Sequence, residues 1–166
     1  MTRLAVASLL IGAGATLAID LWSLLLKRGL GIASLDFCLL GRWFLHMPAG
    51  TFRHESIKAS PARPGECAIG WVAHYSIGIS LAFAFLLLAP RGWLAQPTLG
   101  PALVFGLATT LIPLFVMQPA LGLGIASAKT PRPAQARVKS LATHTVFGLG
   151  IYGVALLLSR LLPVGA

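Results

Sequence analysis

The chain has 166 residues, of which 57% are hydrophobic and only 10% charged, and it carries a net charge of +9. So much apolar surface excludes an ordinary soluble domain, which has no means of keeping it from water, and it excludes a disordered chain as well. The basic residues lie in short segments between apolar runs rather than on a water-facing patch, so anionic lipid headgroups and membrane topology account for them and nucleic acid does not.

Four apolar runs approach the ~20 residues that cross a ~30 Å hydrocarbon core as helix. They are Leu4–Leu26, Ala68–Ala89, Leu99–Gln118 and Leu141–Leu162. A run this long in lipid has to be helical, since no water satisfies its backbone, and none shows the ~10-residue alternation of barrel strands. The fold class expected is therefore all-α, a single transmembrane domain over residues 1–166 built as a four-helix bundle. The first run resembles a secretory signal, with Arg3 before it. Lys27 and Arg28 follow it as a stop-transfer pattern, so it is expected to be retained.

If the spans alternate, one side holds Lys27, Arg28, Arg42, Arg53, Lys58, Arg63, Lys129, Arg132, Arg137 and Lys139. The other holds Arg3, Arg91 and Arg160, the remainder of the 13 basic residues. That asymmetry places loops 27–67 and 119–140 in the cytoplasm and both termini outside it.

The first of these loops is too long to be a mere connection. Ser34 can cap a helix with Asp36 in its first turn, and Leu35, Leu39, Trp43 and Met47 then recur at helical spacing. Residues 35–47 read as an interfacial or re-entrant helix, with Arg42 and His46 on another face and Pro48 and Gly50 ending it. Residues 51–66 are polar and read as ordered loop. Cys38 and Cys67, on the reducing side, read as two unpaired thiols.

Further on, Trp93 in the short outer connection reads as an interface anchor, and Pro113 predicts a kink in the third span. Pro131 and Pro133 predict an extended or turning centre for the second basic loop. Gly148, Gly150 and Gly153 predict close helix contact in the fourth span.

Placed by depth, Asp20, His74, Gln118 and His144 fall within about 10 Å of the cytoplasmic boundary at a helical rise of ~1.5 Å per residue. The outer half holds only Ser80, Thr109, Thr110 and Ser159, each able to bond back to its own helix. The loop adds His46, His54, Glu55 and Glu66 near the same level. A carboxylate at mid-helix is expensive in lipid, so Asp20 is expected to find a partner such as His74, His144 or Ser140.

Histidines and carboxylates from separate helices suit a transition metal, with His46, His54, His74 and His144 as its ligands, or a haem between His74 and His144. Against this, no segment carries a paired-ligand motif such as HxxxH, HExxH or CxxC. A proton-linked small-solute transporter is the alternative, though the outer half lacks a polar path. A third reading is a structural one, with Asp20 pinning the bundle in a homo-oligomer or a larger membrane complex.

Several segments together, GAGATLAIDLW, GRWFLHMPAGTFRHESI, GECAIGWVAHYSIGIS, PALVFGLATTLIPLFVMQPALGLGIASAKTP and RVKSLATHTVFGLGIYG, resemble a family of small bacterial inner-membrane proteins classed only as a domain of unknown function. The resemblance covers nearly the whole chain and implies four spans and no particular activity. Its recurrent polar positions correspond here to Asp20, Arg42, His46, His54, Glu66, His74, Gln118 and His144, the candidate site for a metal or small polar ligand.

Overall fold

A computed structural model describes residues 2–32 and 36–161. Among the described residues the chain is helical and has no strand. Its helices are α1 (Thr2–Leu30), α2 (Phe37–His46), α3 (Glu66–Leu88), α4 (Leu99–Thr109), α5 (Gln118–Ala120) and α6 (Pro133–Leu161). Four stretches are long and apolar enough to cross a bilayer: Arg3–Leu30, Glu66–Leu88, Leu99–Ala120 and Pro133–Leu161. Their outward faces are apolar, with Leu88 77% and Val104 68% exposed, which suits lipid and not water. The protein is an all-α, multi-pass membrane protein.

The chain divides into two compact units. The first comprises Met1–Ala33, Tyr75–Ala108 and Thr143–Ala166. Small residues let its helices meet backbone to backbone, as packing in lipid requires. A methyl group added at Gly12 would meet the α3 backbone at Gly78 and Ile79, and one at Gly150 would lie 2.8 Å from the Cα of Ala15 in α1. Gly106 and Gly148 face each other where α4 crosses α6, so that a methyl group at Gly106 would lie 2.7 Å from the Cα of Gly148. A methyl group at Gly153, by contrast, would meet nothing within 4 Å among the described residues, so the close contact expected of this glycine is not made there.

Ile11, Ala15, Phe85, Ala102, Phe147 and Ile151 fill the centre of this unit. Trp93 joins them at 4% exposure, edge-on to Phe85, with its indole N–H donated to the Thr98 carbonyl at 3.1 Å. It is thus a core residue and not a lipid-facing anchor, because folding back over Phe85 satisfies its single donor inside the protein. Buried Ser8 and Thr16 donate to the carbonyls of Leu4 and Gly12 in their own helix, and Ser159 donates likewise to Leu156.

The second unit comprises Ser34–His74 and Thr109–Ala142. Helix α2 starts at Phe37, and Asp36 is its cap, accepting a bond from the Cys38 N–H at 2.9 Å. The capping role expected of Ser34 and the first position at Leu35 lie outside the described residues. Pro48 and Gly50 close the helix through a tight turn, with Gly50 in the left-handed region at φ 77°. In the third span the prolyl ring at 113 removes a backbone donor, and Pro113–Met117 forms a widened π turn in which the Gln118 N–H reaches back to the Pro113 carbonyl. The expected kink is a π turn.

Helix α6 begins at Pro133, about two turns ahead of the apolar run. Proline fits a first helical position, and Ala134, Gln135, Ala136 and Arg137 are strong helix formers, so the helix outruns the hydropathy that marks its membrane-spanning part.

Candidate functional site

The second unit is organised by Arg42. Its guanidinium forks onto Glu66, with Nη2 2.7 Å from Oε1 and Nε 2.8 Å from Oε2, while Nη1 donates to the carbonyl of Ser60 at 3.0 Å and of Ile57 at 3.3 Å. A planar fork of donors can hold a carboxylate and cap chain carbonyls at once, which a lysine cannot do. The Glu66 hydrogen bond raises the pKa of Arg42 above its ordinary value. Glu66 also accepts the Arg63 N–H at 2.9 Å. One helical turn beyond Arg42, the His46 ring donates to the Pro61 carbonyl at 3.0 Å, and the Trp43 indole donates to the Phe52 carbonyl at 2.8 Å. Residues 51–65 are therefore an ordered strap tied to α2, as the sequence suggests.

The strap is also tied along its backbone. The N–H groups of His54 and Ile57 donate to the carbonyls of Ala120 and Leu121. Gly122, at φ 87°, lies so close to the carbonyls of His54 and Glu55 that no side chain fits there. Buried Gln118 accepts a hydrogen bond from Ser127 at 2.7 Å, which steadies Ala126 and Ser127 in left-handed backbone at φ 49° and 61°. Arg137 donates to the Ala126 carbonyl at 2.8 Å.

His54 sits where these ties converge. It is buried, 9% exposed, and stands edge-on to the His46 ring at 5.2 Å. Its Nδ1 lies 2.8 Å from the Ser60 hydroxyl, and that hydroxyl donates its only proton to the Ser56 carbonyl. The Ser60 oxygen must therefore accept from Nδ1–H, leaving Nε2 as a bare lone pair. Nε2 is buried and has no hydrogen-bond partner among the described residues. Burial, and then the neighbouring His46, push the imidazole below its ordinary pKa, so His54 is neutral near pH 7. His54 lines an open cleft of about 370 Å³ with Arg53, Glu55, Pro119, Gly122, Gly124 and Lys129.

Two helix starts are joined covalently. Cys38 and Cys67 form a disulfide, so they are not the two unpaired thiols expected on the reducing side. The physical reason lies one turn further along each helix. Methyl groups at Gly41 and Gly70 would run into the backbone of Glu66 and Phe37 respectively, so the two helices touch there and their cysteines come into bonding range. The paired sequences Cys38-Leu-Leu-Gly41 and Cys67-Ala-Ile-Gly70 carry this signal, and it is invisible until the helices are known to pair.

The eight expected site residues fall in both units. Arg42, His46, His54, Glu66, His74 and Gln118 belong to the second, and Asp20 and His144 to the first. Arg42, Glu66, His46 and His54 come together around the strap. His74 stacks on Phe37 at 4.1 Å and stands edge-on to Trp71, while His144 stands edge-on to Phe147. In the first unit the Tyr75 hydroxyl donates to Asp20 at 2.9 Å. Tyr75, Ser60, Arg63 and the two cysteines enter the arrangement without having been singled out as site residues. Among the described residues no three of His, Cys, Asp and Glu come together as a metal-ligand set.

The profile of a family described as a protein of unknown function (DUF2938) matches residues 9–158. The chain belongs to that family. No curated protein and no solved structure matches it. The DUF2938 profile thus covers most of the first and last candidate spans and all of the two between them, with the strap and the cysteine pair.

Proposed function

We propose that this DUF2938 protein is a bacterial inner-membrane protein with its basic loops in the cytoplasm, and that it binds a small anion bearing a hydrogen-bond donor in the His54 cleft. The observation that carries this reading is the buried Nε2 of His54, a residue of the cleft lining, which has no hydrogen-bond partner among the described residues. A buried acceptor without a donor is costly, of order 1–3 kcal/mol, so a ligand that supplies the donor relieves that cost. Arg53 and Lys129 outnumber Glu55 in the cleft lining, which favours an anion. The orientation rests on the ten basic residues of loops 27–67 and 119–140 set against three elsewhere.

Hydrogen phosphate carries both a charge and a P–O–H donor, whereas sulfate carries the charge alone. Phosphate is expected to raise the melting temperature of the detergent-purified protein more than sulfate at equal ionic strength, and His54→Phe is expected to abolish the difference. Equal shifts from the two anions in the unsubstituted protein sink the reading. A reporter fused after Ser60 that scores as external overturns the orientation. Two histidines fall short of a metal set, and elemental analysis of the purified protein decides the metal and haem readings directly. Proton-linked transport draws support from the Tyr75–Asp20 bond within the spans, and it predicts that Asp20→Asn abolishes proton-coupled flux in vesicles.

A further inference from the structure

We infer that the Cys38–Cys67 disulfide is a redox-active site that exchanges with a dithiol donor, and not a permanent staple. The inference takes its compartment from the cytoplasmic orientation proposed above. A reducing compartment does not preserve a structural disulfide, and cysteine pairs that bond there are transient, catalytic or sensing ones. Yet the geometry forces the two sulfurs together. Cys38 and Cys67 are each the second residue of their helix, and the glycine contacts at 41 and 70 and the Arg42–Glu66 fork hold those two helix starts in place. These restraints are non-covalent and do not depend on the sulfur–sulfur bond, so the helices are set to remain paired in the dithiol form.

The two sulfurs differ in access. Cys67 is exposed and Cys38 is half-buried. A thiolate from the donor attacks Sγ of Cys67, the Cys38–Cys67 bond breaks, and Cys38 leaves with the electron pair and takes a proton from water. The Asp36 carboxylate already holds the Cys38 N–H, so it is the α2 dipole that eases departure of a thiolate there. The donor's second thiolate then attacks its own sulfur in the mixed disulfide and releases Cys67. Two electrons pass, the donor becomes a disulfide and the protein a dithiol. Run backwards, the same steps oxidise the protein at the expense of a disulfide partner.

The test uses the full chain purified in detergent, with dithiothreitol as the donor and a maleimide-coupled polymer to count free thiols by gel shift. The disulfide is expected to open without denaturant, at a rate within about tenfold of that in the unfolded chain. A bond that opens only on unfolding, or at least ~100-fold more slowly in the folded protein, is a structural staple and overturns the inference. The position of the mixed disulfide tests the direction of attack. When glutathione opens the bond in the unsubstituted protein, the trapped adduct is expected on Cys67 at least about tenfold more often than on Cys38, read by peptide mass spectrometry. The reverse order overturns the assignment of Cys67 as the attacked sulfur. A reporter result that relocates the loop leaves both chemical readouts intact, so failure of the topology and failure of the exchange chemistry are distinguishable.

Discussion

Two glycines of one helix, five residues apart, should respond oppositely to the same substitution. In Gly148→Ala the new methyl group lies 2.7 Å from the Ala102 carbonyl oxygen and 3.0 Å from the Leu103 Cα, both in the backbone of α4. Ordinary contact begins at 3.4 Å, and backbone cannot swing aside as a flexible side chain does. Helices α4 and α6 must part by roughly 0.7 Å or distort, an overpacking penalty of about 1–3 kcal/mol. For a chain of this length that lowers the melting temperature by roughly 2–12 °C. In Gly153→Ala the methyl group meets nothing within 4 Å, and replacing glycine by alanine inside a helix stabilises by about 0.5–1 kcal/mol. The assay is thermal unfolding of both variants in one detergent, followed by circular dichroism. If Gly148→Ala is neutral, or the two variants shift in the same direction, the crossing of α4 and α6 at residues 106 and 148 is wrong.

Acid should weaken the fold through His54. Its folded pKa lies below the unfolded value near 6.5, so the neutral form is favoured and its contribution is fully present above that value and lost as pH falls toward the folded pKa. A melting temperature that declines from pH 7.5 to 5, with a shallower decline in His54→Gln, checks this. Arg42→Lys keeps the charge but loses the fork, and it should speed amide hydrogen exchange across residues 51–65 while leaving α1 unchanged. Tyr75→Phe removes a donor from Asp20 and should destabilise by about 1–3 kcal/mol. Combined with Asp20→Asn, the loss should be less than additive, and strict additivity in the double-mutant cycle refutes the pairing. Gln118→Leu strands the Ser127 hydroxyl and should open the loop at Ala126, read as faster proteolysis after Lys129.

The sequence by itself determined that the chain crosses a membrane four times as helices, because hydropathy sums along a segment and lipid leaves a spanning backbone no other solution. It also determined that a short helix follows Ser34 and that the helix of the third span is interrupted at Pro113. Each depends on residues within one or two turns of each other. Helix ends were less legible: α6 runs past its apolar part, since helix-forming polar residues at its start leave no mark on hydropathy. The site was legible as a set of residue types and not as a set of contacts. Arg42 and Glu66 are 24 positions apart, and Cys38 and Cys67 are 29 apart. Only the tertiary structure decided that these pairs meet, because the glycine at 41 faces the one at 70. It alone decided that Ser60 and Ser56 fix the His54 proton on one nitrogen and leave the other bare, since a hydrogen bond depends on geometry among segments that the sequence keeps apart.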